Sequence, residues 1–127
     1  MVTSAAIFFA ANVAVAGVAD EMISEFQQQG VQVNAAAGKS FWETTFIDKK
    51  TGQKRNCASC HGDNLSQAGK HIKTGKVIEA MAPSANAERL TQRKKINKWF
   101  KRNCKWTVGR ECTAQEKADV LAFLKVL

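Results

Sequence analysis

Side chains that commonly bind metal ions are scarce in this chain, whose 127 residues include only four cysteines and two histidines. Cys57 and Cys60 have the spacing of a zinc-binding pair, but zinc would need two further ligands at similar spacing. None is near, because the other cysteines and the other histidine are Cys104, Cys112 and His71. The chain also lacks the βαβ pattern that surrounds the Cys-x-x-Cys of thioredoxin-like proteins. The sequence therefore favours neither zinc nor dithiol redox chemistry.

Charge is absent from the first nineteen residues. Residues 5–18 are almost all apolar or small, which suits the hydrophobic region of a signal peptide and is short for a membrane span. Cleavage after Ala16 or after Ala19 would fit the small residues that end this run. No Lys or Arg precedes the run, and an uncleaved anchor or a buried helix is the alternative. We predict an exported protein with a leader over 1–19, a mature domain over 20–127 and no stable membrane insertion.

What the chain does contain is Cys57-Ala58-Ser59-Cys60-His61, followed by Gly62. This is the attachment sequence for c-type haem, in which two thiols bind the porphyrin and the adjacent histidine becomes an axial iron ligand. One helical turn between the cysteines would bring both sulfurs to one edge of the porphyrin. We predict one covalent haem c on Cys57 and Cys60, with His61 as the proximal ligand. Since such haem is attached outside the cytoplasmic membrane, we expect the protein in the periplasm.

Basic residues outnumber acidic ones by nineteen to eleven, and all of them lie at or after Lys39, so the net charge of +8 does not depend on the leader. Two clusters stand out, one before the haem motif and one later: Lys49, Lys50, Lys54 and Arg55, then Arg93, Lys94, Lys95, Lys98, Lys101, Arg102 and Lys105. Such a surface favours acidic redox partners, attracted at long range. Nucleic acid is disfavoured by the leader and the haem motif, and solvated helix faces are the plain alternative.

Apolar residues at helical spacing predict helices over 20–32, over 35–46 and from Thr91, a possible cap, to Asn103. Polar segments over 47–56, with a turn at Thr51-Gly52, and over 63–75 are expected to be loops. A final helix is expected to begin at the capping box Thr113-Ala114-Gln115-Glu116. Its apolar face would consist of Val120, Leu121, Leu124 and Leu127.

Three side chains could serve as the second axial ligand of the iron. Met81 offers the usual thioether, although it lies only twenty residues beyond His61 and methionine is also a ready filler of cores. His71 lies in a polar loop among lysines, where solvation is the ordinary state. Asn103 ends the apolar stripe of Ile96, Trp99 and Phe100, and a buried amide needs partners, which a helix C-cap or a metal would supply.

Cys104 and Cys112 belong to no second Cys-x-x-Cys-His, so a second haem is excluded by sequence. In an exported protein they most simply form a disulfide, which would contribute roughly 2.5 kcal/mol on the chain-entropy model. This bridge would also fix the backbone beside Asn103.

Over essentially all of its mature part, the chain resembles the oxygen-binding monohaem cytochromes c of the sphaeroides haem protein (SHP) type. The Asn-Cys and Gly-Arg-acid-Cys blocks are more specific than the haem motif alone. The matching blocks are the haem motif through Gly62, Ala68-Gly69, Thr74-Gly75-Lys76, Ala82-Pro83-Ser84, Arg102-Asn103-Cys104, Gly109-Arg110-Glu111-Cys112-Thr113 and Glu116-Lys117-Ala118-Asp119.

The resemblance implies an all-α class I cytochrome c fold, with several short helices wrapped around one haem and with Gly38 as the candidate small residue where the first and last helices cross. It implies that Asn103 is the sixth iron ligand, released on reduction so that oxygen or another diatomic molecule can bind, and that Cys104 pairs with Cys112. It also implies electron exchange with a dihaem cytochrome c or a membrane cytochrome b.

Two other functions remain open at this stage. One is an ordinary electron carrier with His61 and Met81 as iron ligands. The other is an enzyme such as a peroxidase or a nitric oxide or oxygen reductase, for which the sequence offers no distal acid or base. We therefore favour a protein of ligand binding and electron transfer over a turnover enzyme.

Overall fold

The structure of the chain is a computed structural model that describes residues 16–127. Apart from residues 16–19, the predicted leader lies outside the described residues. Within them are five α-helices, four short strands and a π-helical turn: α1 (Val18–Gln28), α2 (Ala35–Glu43), β1 (Phe46–Ile47), β2 (Lys54–Arg55), α3 (Ala58–His61), β3 (Gly69–Lys70), β4 (Val77–Ile78), α4 (Arg93–Asn103), the π-helical turn Cys104–Val108 and α5 (Ala114–Leu124). No helix in residues 16–127 is long and apolar enough to cross a membrane.

The C-terminal helix α5 lies at the centre of the fold. Its start is the predicted capping box, because the Thr113 side chain accepts from the Glu116 backbone N–H and the Glu116 carboxylate accepts from the Thr113 backbone N–H. The predicted apolar face is also confirmed. It joins two core clusters, one with α1 and α4 (Ala19, Met22, Ile23, Ile96, Leu121 and Ala122) and one with α2 (Trp42, Leu65, Val120 and Leu124).

Helices α2 and α5 cross at Gly38, as expected. A Cβ atom at Gly38 would lie 2.0 Å from the backbone oxygen of Asp119 and 2.9 Å from the backbone nitrogen of Val120. The Asp119 side chain strengthens the same contact: it is only 5% exposed and accepts hydrogen bonds from the Asn34 backbone N–H at 2.7 Å and from Gln115 at 2.9 Å. The buried carboxylate is thereby satisfied, and it fixes the start of α2 on α5.

Two small antiparallel hairpins overlap the predicted loop segments 47–56 and 63–75 and extend beyond them, at Phe46 and at Val77–Ile78. Strands β1 and β2 pair Phe46 with Arg55 and Ile47 with Lys54, around the predicted turn, where Gly52 has a φ of +70°. Strands β3 and β4 pair Gly69 with Ile78 and Lys70 with Val77. The sequence could not predict strands of two residues, because a strand pattern requires several alternating positions.

Helix α4 ends at Asn103, as predicted, but neither of its two possible caps is observed. It begins at Arg93 with Gln92 as the N-cap and no side-chain cap. The Thr91 hydroxyl donates instead to the carbonyl of Glu88 at 2.8 Å, so the prediction that Thr91 caps the helix is wrong. At the other end, Asn103 has right-handed helical φ and ψ of −74° and −34°, and the chain continues into the π-helical turn. Asn103 is therefore not a left-handed C-cap.

Candidate haem-binding site

The haem motif forms a single helical turn, as its spacing predicts. The backbone N–H groups of Cys60 and His61 donate to the carbonyl of Cys57 at 3.3 and 3.1 Å. Asn56 stabilises the turn by accepting from the backbone N–H and the hydroxyl of Ser59, at 2.8 and 2.9 Å. Both Cys57 and Cys60 are free, half-buried thiols. Burial raises the pKa of Cys57 to about 11, so this thiol is protonated at neutral pH.

The imidazole of His61 is held in an apolar environment. Its ring centroid lies 5.3 Å from that of Trp42, and Nδ1 is buried without a hydrogen-bond partner among the described residues. Burial, followed by the charge of Arg89, lowers the pKa of His61 to about 4. The side chain is therefore neutral at pH 7, which is the protonation state that coordinates a metal.

Strand β3 packs directly on the haem motif at Gly69. A Cβ atom there would lie 2.0 Å from the carbonyl oxygen of Cys60 and 2.8 Å from Cα of His61. A glycine is thus required at this position for close backbone approach.

Met81 and His71, the other two candidate iron ligands, both make contacts with the polypeptide itself. Met81 packs against the core cluster that contains Trp42 and Leu65. Nδ1 of His71 accepts the backbone N–H groups of Lys73 and Thr74, each at 3.2 Å, and so closes the turn between β3 and β4. These contacts agree with the alternatives in which Met81 fills the core and His71 is not an iron ligand.

Asn103 lies at the last residue of α4 and is exposed, as is Trp99 one helical turn before it, with 45% of its surface accessible. The stripe of Ile96, Trp99, Phe100 and Asn103 is therefore not buried as a whole by the polypeptide. Only Ile96 is buried, and Phe100 is half-buried. The predicted disulfide between Cys104 and Cys112 is confirmed, with a Cα–Cα distance of 5.6 Å. It anchors the residue next to Asn103.

The sequence does not reveal a role for Trp106 or the part that Arg55 plays in this region. The sequence places Arg55 in a basic cluster, but its side chain is only 13% exposed and forms an ion pair with Asp48 at 2.8 Å. Its guanidinium lies 3.6 Å from the ring centroid of Trp106, which Lys73 also contacts at 4.1 Å. A signal for Trp106 was present in its position three residues after Asn103, but nothing in the sequence connects it with Arg55.

These residues fit a covalently attached haem. The buried side-chain polar atoms that lack a partner within residues 16–127 are Nδ1 of His61 and Nε of Arg55, on either side of the two free thiols. Buried polar atoms without partners are uncommon in folded proteins. No group of three or more His, Cys, Asp or Glu side chains in this part of the chain is arranged to hold a metal ion.

Helices packed around a single Cys-x-x-Cys-His turn define the class of monohaem c-type cytochromes. Comparison with known proteins agrees with that class. Residues 28–124 match the model of a domain of unknown function, DUF1924, and the chain belongs to that family.

The relatives identify the family further. Cytochrome c-type protein SHP of Cereibacter sphaeroides is 40% identical over 98 residues, which cover 75% of this chain and 72% of that protein. Cytochrome c'' of Methylophilus methylotrophus is 38% identical over 87 residues, covering 68% of this chain and 60% of that protein. The chain therefore belongs to the family of SHP, and the predicted resemblance is confirmed.

Solved structures confirm the predicted fold. The structure of oxidized SHP, an oxygen-binding cytochrome c, matches with a TM-score of 0.75 and 34% identity, covering 86% of this chain and 96% of that one. Oxidized cytochrome c'' from Methylophilus methylotrophus matches with a TM-score of 0.74 and 29% identity, covering 85% and 93% of the two chains.

Proposed function

We propose that this monohaem cytochrome works in the periplasm as a redox-gated ligand-binding protein. Cys57 and Cys60 hold haem c, His61 is the proximal ligand, and Asn103 is the sixth ligand in the ferric state. On reduction Asn103 leaves, and oxygen or another diatomic molecule takes its place. The observation that supports this most is the position of Asn103, which ends α4 one turn after the exposed Trp99, makes no side-chain capping hydrogen bond and adjoins the disulfide.

The chemistry of the ligands agrees with such a gate. Haem supplies an iron centre whose oxidation state changes its preference for hard and soft donors. Asn103 offers a neutral carbonyl oxygen, a hard donor that suits ferric better than ferrous iron. The neutral imidazole of His61 would suit iron in both oxidation states. The side chain of Asn103 is therefore the one that reduction releases.

The released amide stays close to the site because of the disulfide. Cys104 follows Asn103 directly and is bonded to Cys112, just before the capping box of α5. The N–H of Asn103 can then donate a hydrogen bond to the diatomic ligand. Polarity on this side of a haem decides between ligand binding and plain electron transfer.

Electrons would come from another cytochrome, a dihaem cytochrome c or a membrane cytochrome b, through an acidic surface. In support, six exposed basic residues of the later cluster form no ion pair within the described part of the chain: Lys94, Lys95, Lys98, Lys101, Arg102 and Lys105. Arg93 alone in this cluster is paired, with Glu25 at 2.7 Å. Unpaired positive charge along α4 and the turn that follows it steers an acidic partner.

The test compares Asn103→Ala with Met81→Leu in the haem-loaded protein. We expect Asn103→Ala to abolish the low-spin ferric absorption spectrum, and Met81→Leu, which conserves volume, to leave it unchanged. The ferrous wild-type protein should bind carbon monoxide. The proposal is wrong if Asn103→Ala leaves the ferric spectrum intact while Met81→Leu changes it, a result that would identify an electron carrier with Met81 as ligand.

A further inference from the structure

We propose that Arg55 is a positioning residue for Asn103: by holding Trp106, it fixes the segment that carries the sixth ligand against the segment that carries the haem motif. This inference rests on the proposed function, since it assigns Arg55 a part in the release of Asn103.

Arg55 holds Trp106 by two different contacts. Nη1 donates to the backbone carbonyl of Trp106 at 2.9 Å, and the guanidinium carbon lies 3.6 Å from the centroid of the indole ring. The same guanidinium also forms an ion pair with Asp48, whose carboxylate is 2.8 Å from Nη1. A planar cation with several donors can make all these contacts at once, which the point charge of lysine cannot do.

The two ends of this contact belong to the two sides of the proposed haem site. Arg55 ends β2, two residues before Cys57, whereas Trp106 lies in the π-helical turn that begins directly after Asn103. The residues are 51 positions apart in sequence. A single side chain therefore links the strand that precedes the haem motif to the turn that follows the proposed distal ligand.

The π-helical turn is suited to such control. Its start is fixed by the disulfide from Cys104 to Cys112, and it ends at Gly109, which has a φ of +85°. Between these points the turn has Trp106 as its contact with β2. Helical turns of this kind are rare and often occur at functional sites. Holding Trp106 should restrict the orientations of Asn103 and so favour its ligated state over its released state.

The direction of the effect follows from the ligand chemistry. Loss of the contact should weaken the Asn103–iron bond, which exists only in the ferric protein, and should leave the ferrous protein unchanged. The ferric state is then less stabilised and the reduction potential rises. If ligation weakens roughly tenfold, the potential of this one-electron couple rises by about 59 mV.

The experiment uses the haem-loaded variants Arg55→Lys and Arg55→Met, with Arg93→Lys as the matched control. Arg93 also forms a short ion pair between distant residues, with Glu25 at 2.7 Å and 68 positions apart, but at the opposite end of α4 from Asn103. We expect both Arg55 variants to have less low-spin character in the ferric spectrum and a higher reduction potential than the wild-type protein. Arg93→Lys should change neither. Trp106→Phe, which keeps a ring and the carbonyl, should have an intermediate effect. Affinity of the ferrous protein for carbon monoxide should stay within about twofold of wild type in every variant, because Asn103 is already released there.

Failure of this inference is distinguishable from failure of the proposed function. If Asn103→Ala abolishes the low-spin ferric state but the Arg55 variants have the wild-type spectrum and potential, Asn103 remains the ligand and Arg55 does not position it. If Asn103→Ala has no effect, both ideas fall. Should Arg55→Met not take up haem, the Arg55→Lys and Trp106→Phe spectra decide the question.

Discussion

Gly38 and Gly69 are the residues at which two backbones come into direct contact. At each of them the atom nearest to an added Cβ is a main-chain oxygen at 2.0 Å, of Asp119 and of Cys60 respectively. Neither glycine has a positive φ, so both are required for space and not for conformation. One of them fixes the crossing of α2 and α5, and the other fixes β3 on the haem motif.

Substitution Gly38→Ala tests the helix crossing. A backbone oxygen cannot rotate away from the new methyl group, so α2 must move off α5. We expect a loss of roughly 1–3 kcal/mol in the free energy of unfolding, the usual range for overpacking. Urea titration of the oxidised haem protein measures it. Gly17→Ala is the control, since its Cβ would meet nothing closer than 3.8 Å; equal losses in the two variants would show that the crossing tolerates a methyl group.

Single residues differ in how far the sequence reveals them. The roles of Gly38, Cys104 and Cys112 could be predicted. A glycine within a helix commonly marks a close helix crossing, and two cysteines outside the haem motif of an exported protein commonly form a disulfide. Asn103 could be singled out as an amide at the end of an apolar stripe. The contact of Arg55 with Trp106 could not be predicted, because the two residues are 51 positions apart. In the sequence, an arginine is ordinarily a solvated surface residue and a tryptophan is ordinarily a core residue.

The helices were predictable as elements wherever one apolar face repeats over several turns, as in α1, α2, α4 and α5. Their ends were less so. Helix α2 ends at Glu43, earlier than its apolar spacing suggests, and α1 begins at Val18. The π-helical turn has no apolar repeat of its own, and its form depends on the disulfide and on packing against β1. Tertiary contacts, which local spacing cannot report, decided these boundaries.

The start of α1 leads to a prediction about the N-terminus of the mature protein. Ala19 is 6% exposed and packs in the core cluster with Ile96 and Leu121. The carbonyl of Gly17 accepts a hydrogen bond from the backbone N–H of Glu21, which is the first hydrogen bond of helix α1. Cleavage after Ala19 would remove both contributions and place a charged amine beside the core, whereas cleavage after Ala16 retains them.

We therefore expect a mature chain that begins at Gly17. Intact-mass measurement of protein purified from a periplasmic extract gives the result directly. A mass that corresponds to a start at Asp20 would contradict it, and retention of the whole leader would indicate the alternative of an uncleaved anchor. Thermal unfolding of chains made to begin at Gly17 and at Asp20 separates the energetic reason from the preference of the peptidase: the shorter chain should unfold at a lower temperature.

At the scale of the whole molecule, positive charge is the dominant surface property. The net charge is +8, and the ion pairs in residues 16–127 neutralise mainly arginines: Arg55, Arg93 and Arg110 are paired, whereas most lysines are free. Exposed lysines lie along α4 and on both hairpins, which flank the haem motif in sequence, and β3 also contacts the motif at Gly69. We therefore expect unpaired cations around the region through which electrons reach the haem.

Small oxidants of opposite charge test this property without any protein partner. The rate constant for oxidation of the ferrous protein by ferricyanide, an anion, should fall as salt is added. That by a cationic cobalt(III) phenanthroline complex should rise. The reason is screening, since the Debye length shrinks from about 30 Å at roughly 0.01 M salt to about 8 Å at roughly 0.15 M. Charge reversal at Lys98 and Lys101 should reduce both salt dependences if α4 borders the site of electron transfer. Identical salt dependence for the two oxidants would mean that the haem exchanges electrons through a part of the surface that the lysines do not surround, and an acidic partner would then have no electrostatic advantage.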